Sequence, residues 1–172
     1  MDDTISIVPY DPAWPKQYEE EKWELQKALG SLIVQIEHIG STAVPGLGAK
    51  PIIDITIALK NIADVNGCVL PLENSGYEHL GENGIPGRHF FRKFSKETGI
   101  RTHHLHIVGT DSDFVKKHLL FRDYLHDHPE TVQQYYQLKK ELAAKHGKDR
   151  DSYTDAKTEF IESVFGKANT KP

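Results

Sequence analysis

The chain has 172 residues, of which 21 are Lys or Arg and 25 are Asp or Glu, giving a formal net charge of −4. That length suits one domain, residues 1–172, with its own core, and the slightly acidic balance, without a Lys/Arg block, offers no footing for general nucleic-acid binding. Cys68 is the sole cysteine, which excludes an internal disulfide and a multi-cysteine zinc site.

No apolar run approaches the roughly 20 residues of a membrane span. The opening Met1-Asp2-Asp3-Thr4 has no apolar signal core, so a cytoplasmic protein with no membrane partner is expected. In chain order, Ile5 to Tyr10 reads as a short strand. Asp11-Pro12 then opens a helix, with Asp as cap and Pro in the first turn. Trp14, Tyr18, Leu25, Leu29 and Leu32 form its apolar stripe, and Glu19, Glu20, Glu21 and Lys22 its solvated face.

Ser31 to Ile39 and Pro51 to Leu59 read as two strands. Their nearly continuous apolar runs predict burial on both faces. Asn61 to Ser75 reads as a helix broken or shortened by Gly67 and Pro71. Tyr77 to Leu80 is a short strand, and Gly81 to Gly87 a loop. Arg88 to Ser95 and Ile100 to Val108 form an antiparallel hairpin through Lys96-Glu97-Thr98-Gly99. Alternation places Arg88, Phe90, Arg92 and Phe94 on one face of it, and Thr102, His104 and His106 on one face of the partner strand, with Arg101, His103 and Leu105 opposite.

From Asp111 the pattern is helical. One helix runs to Leu125. A second runs from Asp127-His128-Pro129 to about His146, and a third, capped by Asp149 or Asp151, carries Tyr153, Lys157, Phe160, Ile161 and Val164 on one side. Ala168 to Pro172 reads as a frayed tail. The fold class is α+β: a mixed sheet with a helical C-terminal half packed against it.

The stretch from Ile36 to Ile57 carries the chemistry. Asp54 stands alone in the run Ile52-Ile53-Asp54-Ile55-Thr56-Ile57, and a buried carboxylate requires a cation, a metal or a set of hydrogen-bond donors. Gly40 and Ser41, with Thr42, form a tight turn that can cradle phosphate, and Lys50 at the lip of the loop can neutralise an anion. Asp54 then either holds a divalent ion against those phosphates or serves as a structural carboxylate bonded to backbone N–H groups or an Arg.

His104 and His106, at i and i+2 on a strand, point the same way. With Asp54 they could make a two-His, one-carboxylate metal set, or they could be an ordinary polar strand face. Glu37 is a candidate second carboxylate or a salt-bridge partner. Arg88, Arg92 and Arg101 suit bidentate phosphate or carboxylate contacts or a solvated edge strand. Lys157 either snorkels to water or enters the cleft beside Tyr153.

Gly40-Ser41 followed by Asp54 on the next strand resembles polymerase-beta-type nucleotidyltransferases, except that Thr56 stands where the second carboxylate of Asp-x-Asp belongs. The longer segment Ile36-Glu37-His38-Ile39-Gly40-Ser41-Thr42-Ala43-Val44-Pro45-Gly46-Leu47-Gly48-Ala49-Lys50-Pro51-Ile52-Ile53-Asp54-Ile55 resembles the signature of the GrpB family. Arg101-Thr102-His103-His104-Leu105-His106, Phe121-Arg122-Asp123-Tyr124-Leu125, and Tyr153 with Lys157 before Phe160-Ile161 extend the resemblance over nearly the whole chain.

That resemblance implies a nucleotidyltransferase-like fold and, in some relatives, fusion to dephospho-CoA kinase. Three functions are compatible with it. One is a nucleotide or other phosphorylated small molecule bound with Mg, Mn or Zn, with nucleotidyl transfer at Asp54. The second is a non-catalytic binding or accessory module. The third is a metal-dependent hydrolase built on the Asp/His set.

Overall fold

The computed structural model describes residues 4–170; Met1 to Asp3, and Lys171 and Pro172 at the end of the tail, lie outside them. Five strands form one sheet: β1 (Ile33–Ile39), β2 (Ile53–Leu59), β3 (Tyr77–His79), β4 (His89–Phe94) and β5 (Arg101–Gly109). Their order is β1-β2-β5-β4-β3. The central β2–β5 pair is parallel and the other pairs are antiparallel. This is the expected α+β architecture.

Two helices, α1 (Trp14–Leu29) and α2 (Val65–Asn74), cover one sheet face. Trp14, Tyr18, Leu25, Cys68 and Leu72 pack there against Ile53, Ile55, Ile57, Phe91, Leu105 and Ile107. The chain then continues as α3 (Asp113–Asp127), α4 (Pro129–His146), α5 (Arg150–Ala156) and α6 (Thr158–Asn169). Val115 of α3 packs on Ala58 and Val108 of the opposite face. Val132 and Tyr135 of α4 pack on Val44 and Leu47, in the loop between β1 and β2. No helix among the described residues is long and apolar enough to cross a membrane.

Several boundaries differ from expectation for physical reasons. Ile5 to Tyr10 is not a strand; Val8 alone pairs, with Ala49. β1 is an edge strand, so its outer residues meet water and Val34 is 57% exposed. Of the two apolar runs, β2 alone is buried on both sides. α2 passes through Gly67 and Pro71 unbroken. The hydrogen bond that Pro71 cannot donate is outweighed by burial of Val65, Cys68 and Leu72.

α3 starts at Asp113 rather than Asp111, with Ser112 as its cap, accepting from the Phe114 N–H at 3.2 Å. Glu21 lies on the buried stripe of α1, not its solvated face. Lys93 Nζ sits 2.9 Å from both of its oxygens, and the Tyr77 hydroxyl donates to it at 2.9 Å. The third C-terminal helix is two, parted at Lys157. Ala168 and Asn169, placed in the frayed tail, continue α6.

Candidate functional site

The sheet register gathers the site on the face that α3 covers. Asp54 pairs with His104 and Thr56 with His106 across the parallel ladder. Ile39 faces Asp54 and Glu37 faces Thr56 from β1, while Phe90 and Arg92 pair with His106 and His104 from β4. Paired residues share a face, so one apolar-to-polar stripe runs across four strands. Beyond the end of β1 the chain turns at Gly40, with φ 74° and ψ −173°. A Cβ placed on Gly40 would come within 2.7 Å of Asp54 Oδ2, so only glycine lets the backbone pass this close to the carboxylate.

Two arginine–histidine relays converge on Asp54. Arg101 Nη1 lies 3.4 Å from His104 Nε2, and His104 Nδ1 lies 3.0 Å from Asp54 Oδ1. Arg88 Nη1 lies 3.3 Å from His106 Nδ1, and His106 Nε2 lies 3.8 Å from the same Asp54 oxygen. A guanidinium only donates. Each ring nitrogen facing an arginine is therefore the acceptor, and the other carries its proton toward Asp54. Burial acts to raise the Asp54 pKa, but hydrogen bonds and charge from His104 and His106 outweigh it and hold the carboxyl below its ordinary range. Burial, opposed by Asp54, lowers the His106 pKa.

Arg101 reaches this face because the β4–β5 register slips between Lys93 and Phe94. The extra residue, Thr102, turns Arg101 to the side of His104, opposite to the placement that simple alternation gives. Arg88, held by the carbonyls of Glu82 and Asn83 at 2.9 Å each, anchors the glycine-rich loop to the site.

Next to Asp54 is a cavity of about 160 Å³ lined by Ser41, Lys50, His104, Lys139, Tyr153 and Lys157, among others. Lys50 and Lys157 hold their ammonium groups 4.8 and 4.4 Å from the centre of the Tyr153 ring. Burial, then repulsion by Lys157 and Arg150, pushes Lys50 down to about 8. Burial, then repulsion by Lys157 and Lys50, pushes Lys139 down to about 7. Burial also lowers Lys157. Three ammonium groups thus share one small space with one carboxylate.

The predicted site residues separate clearly. Gly40, Ser41, Lys50, Asp54, His104, Tyr153 and Lys157 converge, and Arg101 joins through His104. Thr42 lines the same space but is 1% exposed. Its hydroxyl bonds His38 Nε2 at 2.9 Å and the Ile52 carbonyl at 3.4 Å, which fixes the turn rather than facing a ligand. Arg92 stays on the rim in an ion pair with Glu78 at 2.7 Å. Glu37 binds Arg122 at 2.9 Å, and that arginine also holds the His38 carbonyl.

Two participants went unassigned in the sequence. Lys139 is 3% exposed and lies on the buried stripe of α4 with Val132, Tyr135 and Leu142. A lysine in phase with an apolar stripe was the signal. Arg122 was marked only by the family resemblance, within Phe121-Arg122-Asp123-Tyr124-Leu125.

The metal expectation meets a specific obstacle. The described residues contain no group of three His, Cys, Asp or Glu side chains set to hold a metal ion. A metal between Asp54 and the two imidazoles would have to replace the protons on His104 Nδ1 and His106 Nε2, leaving any ring proton on the nitrogen that faces a guanidinium. Glu37 is tied to Arg122, and Thr56 supplies no carboxylate.

Comparison with known proteins places the chain. The family model described as GrpB protein matches residues 4–167, and the chain belongs to this family. It is 40% identical over 160 residues to UPF0157 protein YqkA of Bacillus subtilis, covering 93% of this chain and 46% of that protein, so it spans about half the length of that relative. It is 36% identical to the glutamate-rich protein GrpB of Alkalihalophilus pseudofirmus, covering 94% of each.

The crystal structure of conserved protein GrpB from Enterococcus faecalis superposes with a TM-score of 0.87 at 40% identity, over 95% of this chain and 96% of that one. Cid1, solved with its short product ApU, superposes with a TM-score of 0.52 at 12% identity, over 77% of this chain and 40% of that one. The fold is nucleotidyltransferase-like.

Proposed function

We propose that this member of the GrpB family binds a phosphorylated small molecule, with its phosphates in the lysine cavity beside Asp54, as a binding module rather than a two-metal transferase. The observation that carries this reading is the convergence of Lys50, Lys139 and Lys157 on one cavity of about 160 Å³. Buried ammonium groups without an equal number of carboxylates are expensive. A polyanion entering the cavity offsets that cost. Ser41 adds a hydroxyl at the turn. Asp54 faces His104 Nδ1 at 3.0 Å and His106 Nε2 at 3.8 Å and fixes the orientation of both rings.

Thr56 favours the module over transfer. Two-metal catalysis needs paired metal ions held by acidic ligands, and here the second strand position offers a buried hydroxyl. The nucleotidyltransferase-like fold supplies the scaffold, and fold alone does not carry the reaction.

Calorimetric titration with inorganic tripolyphosphate tests the reading. Binding is expected with or without Mg2+, and Lys157→Met is expected to weaken it by about tenfold or more, the loss of one buried charge-assisted contact. A binding isotherm that appears only with metal present, or pyrophosphate release from a nucleoside triphosphate with Mg2+ or Mn2+, would replace the module with a transferase.

A further inference from the structure

The lysine cavity is too small for a whole metabolite. Sites for drug-sized ligands have volumes of roughly 300–1,000 Å³, and this one is about 160 Å³. It holds phosphate groups and little else, so the organic part of the ligand must leave it.

A second concavity adjoins it. A groove of about 440 Å³ runs between Thr4 and Ser6 of the N-terminal segment and the β4–β5 turn, and it shares Lys50 and Ile52 with the lysine cavity. Its walls differ in chemistry from the cavity. Phe94, Ile100, Pro51 and Ile52 supply apolar surface, and Arg101 supplies a planar guanidinium. Ile100 is 62% exposed. The Arg101 guanidinium lies 5.6 Å from the centre of the Phe94 ring, so ring and guanidinium together present flat faces, the kind of surface on which a nucleobase stacks.

We propose that the groove formed by Phe94, Ile100, Pro51 and Arg101 receives the aromatic base of a nucleoside polyphosphate whose phosphates occupy the lysine cavity, with Lys50 at the junction. This rests on the anion-binding reading above and narrows it from phosphorylated molecules at large to phosphate esters bearing a flat aromatic group. Continuity through Lys50 and Ile52 ties the two compartments into one elongated site. The arrangement also gives Arg101 two tasks. It donates to His104 at one end and borders the base at the other, so base occupancy and the Asp54 relay are coupled through one side chain.

The test compares inorganic tripolyphosphate with adenosine triphosphate by calorimetry on the full chain. The triphosphate ester is expected to bind about tenfold tighter, the effect of one stacked base. Ile100→Ser, at an exposed position that leaves folding untouched, and Phe94→Ala are each expected to lower the affinity for adenosine triphosphate toward that of tripolyphosphate, leaving tripolyphosphate itself unchanged. Equal affinity of the two probes in the unaltered protein would overturn the groove and leave the anion site standing. An advantage of the nucleotide that survives both substitutions would do the same. Failure of tripolyphosphate to bind at all would overturn the anion site, and the groove with it.

Discussion

Lys50 and Lys157 lie over one and the same ring, that of Tyr153, at 4.8 and 4.4 Å from its centre. An aromatic face attracts a cation and lets two ammonium groups approach a shared space. Their mutual repulsion remains, and it drives the behaviour of the site towards anions and protons.

Affinity for tripolyphosphate should fall as pH rises. Lys139 and Lys50 are pushed down to about 7 and about 8, below the ordinary lysine value of about 10.4. A bound anion favours their protonated forms, so binding takes up protons near neutrality. The sign for folding is opposite: without anion, the unfolded chain holds more protons between each lysine's folded value and its ordinary one, so stability rises with pH across that window. Calorimetry in two buffers of different ionisation enthalpy measures the proton uptake directly.

Asp54→Asn separates an anion pocket from a metal site. Asn retains an oxygen that can accept from His104 but loses the charge. In the anion reading, tripolyphosphate binds more tightly, by roughly threefold to tenfold. If Asp54 instead holds a metal against the phosphates, the same substitution weakens binding.

Gly40→Ala should destabilise the fold. At φ 74° and ψ −173°, the backbone is in a region that costs a non-glycine residue about 1–3 kcal/mol. The added methyl also meets Asp54 Oδ2 at 2.7 Å, so the carboxylate must move off its histidines. Urea unfolding gives the loss. An unchanged midpoint would show that the turn is free to rearrange.

Stability should decline in mild acid, in part through His38. Burial pushes its pKa down to about 4, with Asp54 opposing and Arg122 and His103 assisting. The folded value lies below the ordinary value of about 6.5. The contribution is therefore complete above that value and fades as pH falls toward the folded one, by at most about 1.4 kcal/mol per pH unit. In His38→Asn this part of the slope should vanish, as read from thermal melts across the acid range.

Thr56→Val should leave stability unchanged or raise it by up to about 1 kcal/mol. Thr56 is 1% exposed, and its hydroxyl has no hydrogen-bond partner among the described residues. An isosteric methyl removes a buried polar group that is not being satisfied. A clear loss in the urea midpoint would show that the hydroxyl has a partner, such as a buried water.

Much of the site was readable because it is local. Asp54 stands out from its apolar strand, and Gly40, Ser41 and Lys50 lie within the same loop. Tyr153 and Lys157, one helical turn apart, came from their joint position before Phe160-Ile161. What could not be read depends on distant packing. Lys139 sits four residues from Tyr135, where a lysine usually snorkels to water; whether it does so depends on the helices laid beside it. Arg101 changes face through one extra residue at Thr102, which strand alternation does not encode. The exposed flank of β1 follows from strand order, and strand order is set by non-local pairing.

β5 is the last strand in the chain, yet it occupies the middle of the sheet, between β2 and β4. During synthesis, the segment up to residue 100 can form β1 with β2 and β3 with β4, each pair with an unpaired edge. No strand joins the two pairs until residues 101–109 emerge and fill the gap. That one insertion brings His104 and His106 to Asp54 and closes the open edges. The candidate site is therefore assembled only once β5 is in place, and a chain cut before residue 101 carries two half-sheets with exposed edges.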